Sequence, residues 1–274
     1  MNLSSGYVEL SQGMFVSSAT QGPPLGVSGR DDMGRVYKYC RAGASDLAMG
    51  TVLQGPATVA GNLTLTPHTT TGGTSPGSVN IMVTCVSAVS TGFYNEGLLM
   101  VASGSGGGGS YKINNFFSLG GSATGQGGVS ISTGATWKFI LYNEDAIPVM
   151  TNMTIATSSK ISLIPNPYMN VIVAPANTLT GPIVGVCTYP ITATQFGWLQ
   201  TWGPCAIVSN DTVLLGGNLV GVATTAGRVE GAQGAAAAAT TTFLGNLLRS
   251  PIIGFAMAVG VQAEWRPVFL TLAP

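Results

Sequence analysis

The run QFGWLQTWGP, residues 195–204, decides the fold of this chain. It holds two of the four tryptophans, and a Gly-Pro pair closes it. Short apolar runs such as IVGVC (183–187) recur on either side, each ended by Pro, Gly or Asn. Runs of this length and punctuation are typical of strands joined by tight turns, and not of helices. We therefore predict an all-β protein with residues 195–204 in its core.

Working outward, the same pattern predicts about fifteen short strands and two β-sandwich or barrel-like lobes. We expect the lobes at residues 34–148 and 149–274, with the boundary near the composition change at 143–151, and one sandwich with an inserted lobe stays open as the alternative. Residues 1–33 read as an extended N-terminal arm, because their apolar residues are too few for a core and too many for a solvated tail. The clearest strand predictions are 36–40, 51–54, 78–86, 98–101, 137–141, 212–215, 252–259 and 264–272, and the alanine-rich stretch 234–242 is predicted as a short helix or an irregular segment.

Charge is scarce in this chain. Asp, Glu, Lys and Arg make up 7% of the 274 residues, and the formal net charge is zero. An ordinary soluble domain carries about 25%. The composition fits a secreted or thermally robust β protein, or one whose surface is covered by partner subunits, and we favour the second. Nucleic acid is not an expected partner, because the densest basic cluster, Arg30 to Arg41, is interleaved with acids.

No motif points to catalysis, a metal or a cofactor, so we predict a protein that is not an enzyme. The four cysteines are far apart and the single histidine, His68, lies in a Thr/Gly-rich loop, which disfavours zinc. The glycines of 104–109 match GxGxxG, but a strand rather than a helix follows, so a hairpin tip is predicted. Reduced, buried cysteines are favoured, and a Cys187–Cys205 disulfide stays open.

Neither a leader peptide nor a membrane span is expected in the given sequence. Residues 1–20 lack the basic start and continuous apolar stretch of a secretory signal. The most apolar run, 252–263, is shorter than the roughly 20 residues that cross a bilayer. No membrane partner is predicted.

Three sets of residues resemble virion structural proteins of tailed bacteriophages, of the capsid cement or decoration type. The resemblance extends over residues 34–272 as scattered pieces, and its motifs are turn-and-strand patterns. The pieces are GRVYKY (34–39) with DLAMGTVLQ (46–54); GLLMV (97–101) with GSYKI (109–113) and LIPNPY (163–168); and GWLQT (197–201) with GP (203–204) and EWRPVFL (264–270).

The resemblance implies a homotrimer on the outer capsid surface of the virion, made in the host cytoplasm, with the major capsid protein and other copies of itself as partners. Such a protein stabilises the lattice by bridging neighbouring capsomers. A tail or fibre component that binds a host surface is the first alternative, and a major capsid protein is the second. The candidate capsid-binding residues are Tyr7, Val8, Leu10, Phe15, Val16, Arg30 and Arg35, and the candidate core or subunit-interface aromatics are Phe196, Trp198 and Trp202.

Overall fold

The computed structural model is all-β, which confirms the predicted fold class. It describes residues 7–9, 13–67, 80–90, 92–104, 106–118, 136–141, 159–211, 216–221, 223–232 and 251–273. The predicted strand 212–215 and the segment 234–242 lie outside these residues. The strands are β1 (Tyr7–Glu9), β2 (Ser28–Arg30), β3 (Val36–Arg41), β4 (Val52–Gln54), β5 (Asn80–Thr84), β6 (Leu98–Ser103), β7 (Ser110–Ser118), β8 (Thr136–Leu141), β9 (Lys160–Ile164), β10 (Ile172–Val173), β11 (Ile183–Cys187), β12 (Phe196–Val208), β13 (Asn218–Val220), β14 (Glu230–Gly231), β15 (Ile252–Ala256) and β16 (Trp265–Thr271); one short 3₁₀ turn covers Ala60–Asn62.

The chain forms two compact units, and the smaller one is inserted into the larger one. The larger unit consists of Met1–Ala57 and Pro167–Pro274, and the smaller unit is Thr58–Asn166. This differs from the predicted consecutive lobes at 34–148 and 149–274. The physical reason is strand pairing between distant segments: β4, before the insertion, hydrogen-bonds to β10 and β11 after it. Pairing of this kind leaves no composition change in the sequence.

The larger unit is built on a sheet that curls into a half-barrel around β12. Its main path runs β1-β2-β3-β12-β16-β15-β13-β14, while β11 also pairs with β12 and leads to β4 and β10. The first half of β12 pairs with β3, and its second half pairs with β16. Residues 196–204 lie in the central strand of the sheet; residues 197–201 are buried, as predicted for the run 195–204, whereas Pro204 is exposed.

A bulge in β12 allows this change of partner. The register against β3 shifts between Gln200 and Trp202, so Thr201 is the extra residue. Gln200 is fully buried, and its Nε2 lies 2.9–3.1 Å from the carbonyl oxygens of Trp202, Gly203 and Pro204. Gly203 has φ +88°, a conformation that L side chains rarely adopt. The bulge redirects the strand and raises its local twist.

Three clusters of buried apolar residues fill the larger unit. One lies beneath β12, β15 and β16, and it includes Ile207, Ile253, Val268 and Leu270. A second joins β3, β4 and β11, with Leu53 and Leu199 among its members. The third surrounds Trp198, and its other buried members are Met14, Leu25, Tyr37, Tyr39 and Met169.

Residues 13–33 belong to the larger unit, and the prediction of a separate extended arm is wrong for this segment. Met14 and Leu25 are buried in the Trp198 cluster. β2 pairs with β3, and β1 adds to β2 in parallel. The backbone of Ser18 bridges that of Phe196. Met14 and Leu25 complete the core of their own chain, which the prediction from the number of apolar residues did not anticipate.

The smaller unit has a five-stranded sheet in the order β5-β8-β7-β6-β9. Its core contains Ile81, Tyr94, Leu99, Trp137 and Phe139, among others. A buried amide organises its loops: Asn62 Nδ2 donates to the Tyr94 hydroxyl and to the Ser87 carbonyl, both at 3.0 Å, and Asn62 Oδ1 accepts from the Ser87 N–H at 2.9 Å.

Candidate interaction surface

The side of the sheet opposite the β12/β15/β16 core is also apolar. Along β12 the alternation buries Cys205 and Ile207 and points their neighbours outward. Along β16 it buries Val268 and Leu270 in the same way. We call the outward set on these strands the outer apolar face. It consists of Trp202, Pro204, Ala206 and Val208 on β12, Trp265, Pro267 and Phe269 on β16, and Ile252, Phe255 and Met257 on or next to β15.

Strand register brings these side chains into adjoining rows. Pro204, Phe269 and Phe255 are opposite one another across three strands. The rings of Phe255 and Phe269 stack with centroids 5.2 Å apart and planes 8° apart. Trp202 meets Phe269 edge-on at 5.6 Å. In the next row, Ala206 pairs with Pro267.

Trp265 is the largest exposed side chain of the face, with 60% of its surface accessible. It pairs with Val208, and its indole ring lies over Gly50. A Cβ on Gly50 would lie 2.4 Å from the indole Nε1, so the close approach requires glycine at this position. The backbone carbonyl of Gly50 also accepts from the Val208 N–H at 3.0 Å. The indole is thus supported on one side by the chain and open to solvent on the other.

The outer apolar face is at least as large as the largest apolar patch of an ordinary monomer. From side-chain sizes and exposed fractions it presents on the order of 700 Å². The largest patch on a typical soluble monomer is about 300–600 Å², and larger ones mark interaction sites. None of its ten residues is charged. This face is therefore the candidate functional site.

A polar cluster lies where β12 ends and β16 begins. Arg266 is 1% exposed, and its Nη2 donates to the backbone carbonyl of Asp211. The Asp211 carboxylate accepts from the Gly231 N–H at 3.2 Å. Glu230 Oε2 accepts from the Thr224 N–H at 3.1 Å. Burial raises the pKa of Glu230, and the nearby Asp211 adds to the effect. Burial lowers the pKa of Arg266. These bonds hold neighbouring loops together.

The predicted capsid-binding residues do not form one patch. Phe15 and Val16 are exposed, and the Phe15 ring meets Tyr189 edge-on at 6.1 Å. Arg30 is exposed, whereas Arg35 is half-buried and forms an ion pair with Asp31 at 2.6 Å. Tyr7 and Val8 lie in β1, with their side chains outside the description, and Leu10 lies outside the described residues.

The three predicted core or interface aromatics divide between two surroundings. Trp198 is buried, and it meets Tyr39 edge-on at 5.0 Å. Phe196 is half-buried and stacks on Tyr39 at 6.0 Å. Trp202 belongs to the outer apolar face. Sequence reasoning missed Trp265, Phe255 and Phe269 as site residues, although the alternation of Trp265, Pro267 and Phe269 along β16 could have indicated a second apolar side.

The glycine run forms the predicted hairpin tip between β6 and β7, which pair antiparallel. Within it the Gly107 N–H donates to the Gly104 carbonyl at 3.0 Å, and the Gly108 N–H donates to the Val101 carbonyl at 2.9 Å. Gly104, Gly106 and Gly108 all have positive φ. The run is a turn between strands, and no helix N-terminus follows it to hold a phosphate.

All four cysteines are free and buried, so the Cys187–Cys205 disulfide left open above does not form. Burial raises the pKa of Cys85, Cys187 and Cys205 to about 12 in each case. His68 lies outside the described residues. Within the described ranges no group of three or more His, Cys, Asp or Glu residues could hold a metal ion.

No family model matches the chain, and no match was found among curated proteins or solved structures. Among the described residues there is no helix with the length and apolar character to span a membrane.

Proposed function

We propose that this chain is a non-enzymatic structural protein of a tailed-bacteriophage virion, of the cement or decoration type. In this role it binds the outer capsid lattice as a homotrimer and stabilises the lattice by bridging neighbouring capsomers. Its partners are the major capsid protein and other copies of itself. The resemblance of residues 34–272 to such proteins suggests the role, and the features of the folded chain support it as follows.

The observation that carries the proposal is the outer apolar face. About 700 Å² of apolar surface lowers the solubility of an isolated chain. In an assembly, burying this surface stabilises the complex by about 25 cal/mol per Å². The low content of charged residues, 7%, removes the usual barrier to association. A cement protein needs such surfaces more than it needs a reactive site, because its effect is mechanical.

Exposed apolar residues at a second place offer a contact for the capsid. Phe15 and Val16 are 56% and 59% exposed, next to the exposed Tyr189. The segment that carries them is fixed to the larger unit through buried Met14, so these side chains are presented from a rigid base. Each contact is small, and repetition over the lattice makes small contacts cooperative.

The first test is the number of copies per particle, measured by quantitative mass spectrometry of purified virions against the major capsid protein. A ratio near one to one is expected for a cement protein. A ratio of a few per cent or less would overturn the proposal and place the chain in the tail or at a single vertex.

The second test is binding of the purified chain to particles that lack it, measured by co-sedimentation. The double variant Phe15→Ser/Val16→Ser is expected to lose binding and to keep the circular dichroism of the folded protein. Val86→Ser, which changes an equally exposed apolar residue of the smaller unit, is the matched control and is expected to bind normally. Equal binding by the wild type, the double variant and the control would show that Phe15 and Val16 do not contact the capsid.

A further inference from the structure

We propose that the outer apolar face is the surface through which copies of this chain associate with one another. The inference deepens the proposed function, on which it rests for the expectation of a homo-oligomer. It assigns the face to a second copy of this chain, and not to the capsid. Size, charge and side-chain order support this choice.

The size of the face matches what a stable pair of subunits buries. A standard protein interface removes about 800 Å² from each partner, and contacts well below this area are weak or transient. The outer apolar face presents on the order of 700 Å² from its ten residues alone. The hairpin that joins β15 to β16 adds Val259 and Val261, which are 62% and 55% exposed. The exposed area of the face is therefore similar to the area that one partner buries in a standard interface.

The absence of charge in the face favours a second copy over an unrelated partner. Residues of such a face that lie near the rotation axis of the oligomer are close to their own counterparts, so a charged residue there meets a like charge, which costs several kcal/mol. Recognition of a different protein gains from charges, because opposite charges steer and select the partner. Positions from Trp202 to Val208 on β12 and from Trp265 to Phe269 on β16 that point outward carry none. A face free of charge satisfies the symmetric case and gives nothing to select a foreign partner.

The aromatic side chains of the face are already held in place in the single chain. Phe269 touches Phe255 on one side and Trp202 on the other. Trp265 lies on the backbone of Gly50. Side chains that are ordered before association lose little rotamer entropy when they are buried, and each free, rotamer-rich side chain would cost about 0.5–1.5 kcal/mol to immobilise. The face is thus preorganised for packing against another rigid sheet.

The experiment measures the mass of the purified full-length chain in solution by light scattering and sedimentation equilibrium, with no capsid protein present. The wild type is expected at a multiple of 27.8 kDa. Two variants, Ile252→Lys and Met257→Lys, place a charge on exposed positions outside the aromatic stack, where the monomer can solvate it. Each is expected to weaken association by about 100-fold or more, because association would bury a charge without a partner in an apolar contact. Val86→Lys, an exposed site of the smaller unit, is the matched control and should keep the wild-type mass.

A measurement on the wild type alone guards against variants that fail to fold. Hydroxyl-radical oxidation should spare Trp265 and Met257 at concentrations where the oligomer forms and attack them after dilution. Met100, which is 39% exposed and belongs to the smaller unit, should be oxidised equally in both conditions. A monomeric wild type overturns the proposal, and so does an oligomer in which Trp265 and Met257 are oxidised as rapidly as in the monomer.

The outcomes separate this inference from the virion proposal. Self-association is measured with the isolated chain, so a wrong virion assignment leaves the mass and the oxidation pattern unchanged. Conversely, a copy number near that of the major capsid protein together with a monomeric free chain would keep the virion role and reject the outer apolar face as the contact between copies.

Discussion

The ring of Phe255 stacks on the ring of Phe269 at 5.2 Å on the solvent side of two neighbouring strands. The same two strands bury Ala256 and Val268 on their other side. The sheet therefore carries an apolar layer on both faces at this point. A sheet in which only one face is covered normally alternates apolar and polar residues along its strands. The exposed apolar layer around Phe255 and Phe269 departs from that alternation.

The Phe255–Phe269 stack should contribute measurably to stability. We expect a double-mutant cycle with Phe255→Ala and Phe269→Ala to give a coupling energy of about 1 kcal/mol, since aromatic pairs are worth about 0.5–1.5 kcal/mol beyond their buried area. Urea unfolding at one fixed protein concentration provides the four free energies. The exposed edge-on pair Phe15–Tyr189 serves as the comparison and should couple more weakly. Strictly additive losses at Phe255 and Phe269 would contradict the reading of the stack as a stabilising contact.

Gln200 should be replaceable by an apolar residue at a moderate cost but not by an acid. Its Nε2 donates towards three carbonyl oxygens inside the core. Gln200→Met removes the donor, and the loss of its hydrogen bonds inside the core should cost about 1–3 kcal/mol. Gln200→Glu places a carboxyl group against the same oxygens, and burial of an unpaired charge or its neutralisation should cost more than about 3 kcal/mol.

Urea unfolding of both variants tests the bulge directly. The comparison holds side-chain size nearly constant, so packing is not the variable. If Gln200→Glu is as stable as Gln200→Met, the three contacts do not hold the β12 bulge. The slope of the unfolding free energy against urea concentration should be the same in both variants as in the wild type, because the surface exposed on unfolding is the same.

Gly254 should tolerate no side chain. A Cβ at this position would lie 2.1 Å from the carbonyl oxygen of Phe269, on the paired strand β16. Gly254→Ala must therefore shift the backbone of one of the two strands, and we expect a loss of about 1–3 kcal/mol as for other overpacked sites. In Gly22→Ala the nearest atom is the Tyr39 hydroxyl at 3.6 Å, an ordinary contact. That control should be neutral or slightly stabilised. Similar melting temperatures for the two variants would show that β15 and β16 are less closely paired than described.

The sequence predicted the elements of this fold better than their arrangement. The apolar run around Val268 and Leu270 predicted a strand at 264–272, and β16 covers Trp265–Thr271. Local alternation was enough there, because strand formation depends on neighbours in the chain. The sequence left an inserted lobe open but did not predict the bounds Thr58–Asn166, since these follow from pairing of β4 with β11 across more than a hundred residues.

The outer apolar face was not predicted for a related reason. Trp198 and Trp202 stood out in the sequence because they are close together, yet only Trp202 lies on the face. Trp265 is far along the chain and joins the face through its pairing with Val208. A sequence with apolar residues on both sides of a strand predicts a strand that is buried on both sides. Only the fold shows that one side of β16 has no covering layer among the described residues. The side that is open cannot be read from alternation.

The last prediction concerns pH and the carboxyl group of Glu230. Burial raises its pKa above the ordinary value of 4.5, and the unfolded chain restores that value. The folded state therefore holds the proton more tightly than the unfolded state. The stabilisation from this group is fully present below the unfolded pKa and is lost as the pH rises through the folded pKa. Glu230→Gln keeps an oxygen that can accept from the Thr224 N–H, and it cannot ionise.

We expect the variant to gain stability relative to the wild type as the pH is raised from about 4.5 to 7.5, with the gain appearing above the unfolded pKa. Urea unfolding at several pH values gives the difference in free energy, in which all other titrating groups cancel. Glu264→Gln, at an exposed position near Arg266, is the matched control for losing a negative charge in this region. A difference between wild type and Glu230→Gln that stays constant over the whole range, or that runs in the opposite direction, would mean that Glu230 is ionised in the folded protein as readily as in the unfolded chain.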